Sequence, residues 1–239
     1  TFEVPLPYST TYTFYMHLAI MLINQKEYTQ AKEYLYLCLK LPSPGSYNWN
    51  IILFILAILG FQSNEPEVAY KAWKKAHNTR KKFSSEVINE RWRIILAYLV
   101  WYKKIGRLEI EEEYRMGKFL NEIDIAGKRK TGQNVSVIVA QMIHYLVDNR
   151  YDDFEKKAAR LEKYITKYLR RNENVRSKNF LRILRKIEDA DYTLSRVEQK
   201  IARYWTKIKD VDLEVSVELL ETEVVPFEML WEDIKHVLR

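Results

Sequence analysis

The groups with the most chemical promise are Gly127 and Gly132, the four histidines, two acidic runs and a lone cysteine. Gly127-x4-Gly132 has the spacing of a loop that cradles nucleotide phosphates. Such a loop needs Lys and then Ser or Thr after its second glycine, because the ammonium holds phosphates and the hydroxyl holds magnesium. Gln133 and Asn134 stand there instead, and no strand pattern precedes, so Asp124 to Asn134 reads as a solvated basic loop. His17, His77, His144 and His236 share no metal-ligand spacing. Glu111 to Glu113 and Asp152-Asp153 read as exposed helix starts, where carboxylates favour the positive end of the helix dipole. Cys38 has no partner for an internal disulfide and reads as a small packing residue; a single cysteine also fits a reducing compartment. The expectation is no catalytic residue, no metal site, no cofactor and no enzyme activity.

Charge is more informative. The net charge is +7, and it is uneven. Between Lys156 and Lys186 there are twelve Lys or Arg against two acidic residues, Glu162 and Glu173. Between Asp210 and Asp233 there are nine acidic residues and no Lys or Arg. Lys156, Arg160, Lys163, Lys167, Arg170, Arg171, Lys178, Arg182 and Arg185 form a candidate basic surface. One reading is a nucleic-acid surface over residues 156–186, since cations release the counterions condensed on phosphates. The other is a set of solvated helix faces with some contacts to the acidic C-terminal segment. No nucleic-acid motif accompanies the charge, which favours the second.

The elements that carry these groups read as helices. Hydrophobic content of 47% supports a sizeable core, and six Gly and six Pro suit long helices with short connections. The longest apolar run, Ile51 to Phe61, is far shorter than the roughly twenty residues of a membrane span, so it reads as a helix buried on all sides. Helices are expected from Ser9 or Thr10 to Asn24, Tyr28 to Leu41, Tyr47 to Gln62, and from an Asn64/Glu67 start box to Lys82. Others run from Ser84 or Ser85 to Gly106, Glu109 to Ile123, Val135 to Asp148, Tyr151 to Asn172, Val175 to Ile187 and Asp191 to Lys209. Asp210 to Glu223 is acidic and partly extended, and Pro226 opens a last helix, Phe227 to Val237. Its Phe227, Leu230, Trp231 and Ile234 share one face at i, i+3, i+4, i+7 and should dock it onto the body.

A repeat ties these helices together. Tyr15, Leu18, Ala19, Leu22, Ala31, Leu35 and Cys38 recur 38 residues later as Leu53, Leu56, Ala57, Gly60, Ala69, Trp73 and Ala76. The spacing resembles the tetratricopeptide pattern, W-x2-L-G-x2-Y followed by A-x3-F. Small residues recur because helices approach closely only where side chains are short. A third copy keeps Leu96 and Ala97, and a fourth, at Tyr151 to Phe154, keeps only the turn. Three later strings, GKFLNEIDI at 117–125, LRRNENVRSKNFLRIL at 169–184 and VVPFEMLWEDI at 224–234, together resemble the C-terminal region of a group of uncharacterised bacterial tetratricopeptide-like helical proteins. That resemblance implies an all-helical fold and a longer parent protein, and it supplies no activity.

The expected fold is therefore all-α, about ten or eleven helices in antiparallel hairpins stacked as a tetratricopeptide-like superhelix. Divergent repeats occupy 1–106, further hairpins with basic faces 107–209, and an acidic segment with a docking helix 210–239, in one continuous solenoid. The expected function is a non-catalytic protein-interaction scaffold with a protein or peptide partner, cytoplasmic and without a membrane span. The chain starts at Thr1, not Met, which leaves room for an N-terminal part carrying targeting information. The resemblance places His17, Ile20, Asn24, Phe54, Ile55, Ile58, Phe61, Ile95, Tyr98 and Tyr102 on the concave surface. These residues would either line a groove for an apolar peptide or be covered by later helices as core.

Overall fold

The computed structural model describes residues 8–79, 86–112, 131–169, 175–211 and 223–238. Every regular element among them is an α-helix. In chain order these are α1 (Tyr8–Asn24), α2 (Tyr28–Leu39), α3 (Tyr47–Gln62), α4 (Pro66–Thr79), α5 (Glu86–Lys104), α6 (Thr131–Val147), α7 (Tyr151–Tyr168), α8 (Val175–Glu188), α9 (Leu194–Lys209) and α10 (Phe227–Val237). Most helices pack on their sequence neighbours, α1 with α2, α3 with α4, α6 with α7 and α8 with α9, while α2–α3 and α7–α8 contacts join successive pairs and α10 meets α6.

One turn geometry ends the first helix of each of these pairs, and α5 as well. Lys26, Asn64, Gly106, Asn149 and Asp191 all take left-handed φ, at 63°, 61°, 76°, 54° and 51°. In each case the next residue's N–H donates to the carbonyl five residues back: Glu27 to Leu22, Glu65 to Gly60, Arg107 to Tyr102, Arg150 to Tyr145 and Tyr192 to Ile187, at 2.7–3.1 Å. The left-handed residue's own N–H reaches three residues back. This is the Schellman ending, which satisfies the last carbonyls of a helix and reverses the chain. Gly, Asn and Asp tolerate that conformation best, and Lys26 is the costly exception. The reversals fall every 38 to 43 residues along the chain. Asn64 therefore ends α3.

Two compact units emerge, one from the described residues up to Leu99 and one from Val100 onward. In the first, α3 is buried from Trp49 to Gln62, as expected of an all-round apolar helix, and Ser46 caps it by accepting from the Trp49 N–H. Ala19 and Ala31, and Ala57 and Ala69, are fully buried, so the small residues sit inside the hairpins. Phe54 meets the edge of Trp92, with ring centroids 6.1 Å apart, and Phe61 meets Tyr98 at 6.2 Å, which packs α5 against α3.

In the second unit, α7 buries Phe154, Ala158, Leu161 and Ile165 at helical spacing. On α10, Phe227, Leu230, Trp231 and Ile234 are all buried, as their spacing indicates. Phe227 stacks on Phe180 with centroids 4.1 Å apart. Residues 109–112 are not helical, contrary to the expected Glu109–Ile123 helix. Lys103 donates to the Glu112 carbonyl there. The rest of that segment, the Asp124–Lys130 loop and the expected starts at Ser84 or Ser85 lie outside the described residues.

Candidate functional site

Three places carry chemistry or exposed recognition groups: the surface of the first hairpin, a small aromatic pocket, and the basic helices of the second unit. The groove residues separate sharply. Phe54, Ile55, Ile58, Phe61, Ile95, Tyr98 and Tyr102 are each no more than 5% exposed. An open groove lined by them is not what the chain forms, because α3 has no polar face and α5 lays aromatic rings along it. Of the ten, His17 and Asn24 are exposed and Ile20 is half-buried, all on α1. Phe14 and Met21 share that helix face with His17 and Asn24, at i, i+3, i+7 and i+10, and they are 57% and 49% exposed.

The aromatic pocket lies in the first unit, lined by Asn50, Trp73, His77, Ile88, Trp92 and Arg93 among others. His77 stacks on Trp73 with centroids 4.8 Å apart, so its role there is packing. The space is about 60 Å³, room for one or two water molecules and not for a substrate.

His144 is buried, and the described residues contain no His, Cys, Asp and Glu group able to hold a metal ion. Cys38 is fully buried, and burial pushes its thiol up to about 11, away from the nucleophilic thiolate. No described helix is long and apolar enough to cross a membrane.

The basic helices divide into free and engaged cations. Lys156, Arg160, Lys163 and Lys167 form one exposed face of α7, opposite its buried stripe. On α8, Lys178 is half-buried, while Arg182 and Arg185 reach across to Glu162 of α7 at 2.8 and 3.7 Å. The Arg182 hydrogen bond holds the Glu162 carboxyl below its ordinary range. Arg170 and Arg171 lie outside the described residues.

The acid–base contact expected between the basic helices and the C-terminal segment falls on a residue that the sequence did not single out. Arg176 is buried. Its Nε and Nη2 donate to both carboxylate oxygens of Glu223, at 3.0 and 2.7 Å, and Nη2 also donates to Glu228. Its Nη1 donates to the carbonyls of Ile208 and Val211. Glu223 in turn accepts the Phe227 N–H at 2.8 Å, at the start of α10. A second bridge, Arg107 to Asp233 at 2.6 Å, holds the same helix. The available signal was position: Arg176 lies in register with Phe180, Ile183 and Ile187 on the apolar face of α8. Comparison with protein-family models, with curated proteins and with solved structures finds no match to this chain, and its functional reading rests on the geometry above.

Proposed function

We propose that the chain is a non-catalytic protein-interaction scaffold built from tetratricopeptide-like hairpins, acting in the cytoplasm. The observation that carries this is where large apolar side chains face solvent. Phe14, Met21, Tyr36, Leu37 and Tyr47 lie on α1, α2 and the start of α3; the remaining described chain adds only Val87, Tyr168 and Val211. Phe14 and Met21 share one face of α1, and an exposed apolar face is a usual mark of a partner surface. The partner would meet the α1 face of Phe14, His17, Met21 and Asn24, not the buried residues of α3 and α5. The stacked hairpins give that face a rigid backing, and the buried Cys38 thiol fits a reducing compartment.

A test compares the proteins captured from cells by the native chain and by a Phe14→Asp/Met21→Asp variant, using quantitative mass spectrometry. Both positions are exposed, so the variant should keep its helical content and melting temperature. Proteins enriched by the native chain and lost from the variant would support the reading. The same captured set for both would refute it.

A further inference from the structure

The excess of positive charge sits in one stretch. Residues 151–211 hold 17 Lys and Arg against 10 Asp and Glu, an excess of +7, equal to the net charge of the whole chain. That stretch forms α7, α8 and α9 within the second unit, with α8 packed against both of the others.

Two cationic stripes result. On α7 the stripe is Lys156, Arg160, Lys163 and Lys167. On α9, Arg196, Lys200, Arg203 and Lys207 recur at the same i, i+4, i+7, i+11 spacing, and all eight residues are exposed. Each stripe runs about 16 Å along its helix. Arg196 is tied to Asp191, and Lys200 donates to the Asp189 carbonyl. Lys156, Arg160, Lys163 and Lys207 have no ion pair among the described residues. On α8, Arg182 and Arg185 are held by Glu162 of α7.

Aromatic rings accompany the cations. The Lys167 ammonium lies 4.9 Å from the ring centre of Tyr168, which is 42% exposed, and Arg203 lies 4.6 Å from the ring centre of Tyr204. A membrane-surface helix would instead need large aliphatic or aromatic groups along one exposed face to enter the acyl region. On α7, α8 and α9, Tyr168 is the one large hydrophobic side chain that is exposed. Cationic tracks beside rings on which bases can stack match what a flexible phosphate chain requires.

We propose that the α7–α8–α9 face binds single-stranded nucleic acid, with phosphates along the two stripes and bases against Tyr168 and Tyr204. This goes beyond the scaffold reading and concerns the other unit of the chain. The test is fluorescence anisotropy of the full chain with labelled oligo-dT and oligo-U of about 20 nucleotides across a salt series. Each phosphate contact adds roughly 0.7 to the log–log salt slope for a single strand, so engaging four to eight cations predicts a slope of about −3 to −6. Lys163→Glu/Lys167→Glu and Arg203→Glu/Lys207→Glu should each weaken binding at least about tenfold and flatten the slope by about one or more. Their circular dichroism and melting should be unchanged, because all four residues are exposed. Tyr168→Ala should weaken oligonucleotide binding about fivefold or more. Phe14→Asp/Met21→Asp should bind the oligonucleotide like the native chain, which keeps this test separate from that of the scaffold reading.

The proposal is overturned if no binding is seen at about 50 mM salt or if both stripe variants bind as the native chain does. It is also overturned if polyglutamate or phosphatidylserine vesicles compete as well as unlabelled oligonucleotide at equal charge, which would assign the face to an acidic protein or a membrane.

Discussion

A side-chain carbon on Gly60 would lie 2.6 Å from the backbone nitrogen of Ala69 and 3.0 Å from the Glu65 carbonyl oxygen. Both obstacles are main chain, so neither can rotate aside. Gly60 also supplies the carbonyl that receives the Glu65 N–H in the turn, so the close approach and the chain reversal share one residue.

Gly60→Ala is accordingly expected to destabilise the chain by about 1–3 kcal/mol, through the cost of overpacking. An unconstrained glycine inside a helix would give the opposite sign, since alanine gains roughly 1 kcal/mol there. Thermal or urea unfolding of this single variant therefore decides whether α3 and α4 meet as closely as the hairpin requires.

Arg176 and Glu223 form the second relationship to test. Removing the guanidinium strands a buried carboxylate, so Arg176→Met should cost roughly 3–5 kcal/mol. Arg176→Met/Glu223→Met should cost clearly less than the two single substitutions added together, because the double variant buries neither charge. A double-mutant cycle by denaturant unfolding measures this, and additive costs would mean that the pair does not interact.

Lys157 provides the pH dependence. Burial, with a smaller contribution from neighbouring Arg160, lowers its ammonium from 10.5 to about 8. The unfolded chain therefore binds more protons than the folded chain between pH 8 and pH 10.5. By linkage this residue's contribution to stability rises with pH across that window. Below it the full penalty applies, and above it the penalty is gone. Lys157→Met should thus be more stable than the native chain near neutral pH, by on the order of 1–3 kcal/mol. The gain should shrink as pH approaches 10.5, which unfolding at several pH values would show.

The sequence by itself determined the all-helical class, the hairpins and the small residues between them. Ala19, Ala31, Ala57, Gly60 and Ala69 were legible because close helix packing excludes side chains at fixed intervals, and such local spacing is written along one strand of sequence. The docking face of α10 was legible for the same reason. The five reversals were only partly legible. Asn64, Gly106, Asn149 and Asp191 are residue types that favour left-handed backbone, but Asn and Asp serve equally well as helix starts, and Lys26 carries no such signal. Tertiary structure alone decided which cations are buried and which apolar faces are covered. Phe54, Ile58 and Tyr98 have the composition of either a groove or a core, and the packing of α2, α4 and α5 around α3 makes them core. Arg176 shares the register of the apolar face of α8, but the groups that hold it there, Glu223, Glu228 and the Ile208 and Val211 carbonyls, come from elsewhere in the chain. Burial of a charge depends on partners far away in the chain, and no local pattern encodes that distance.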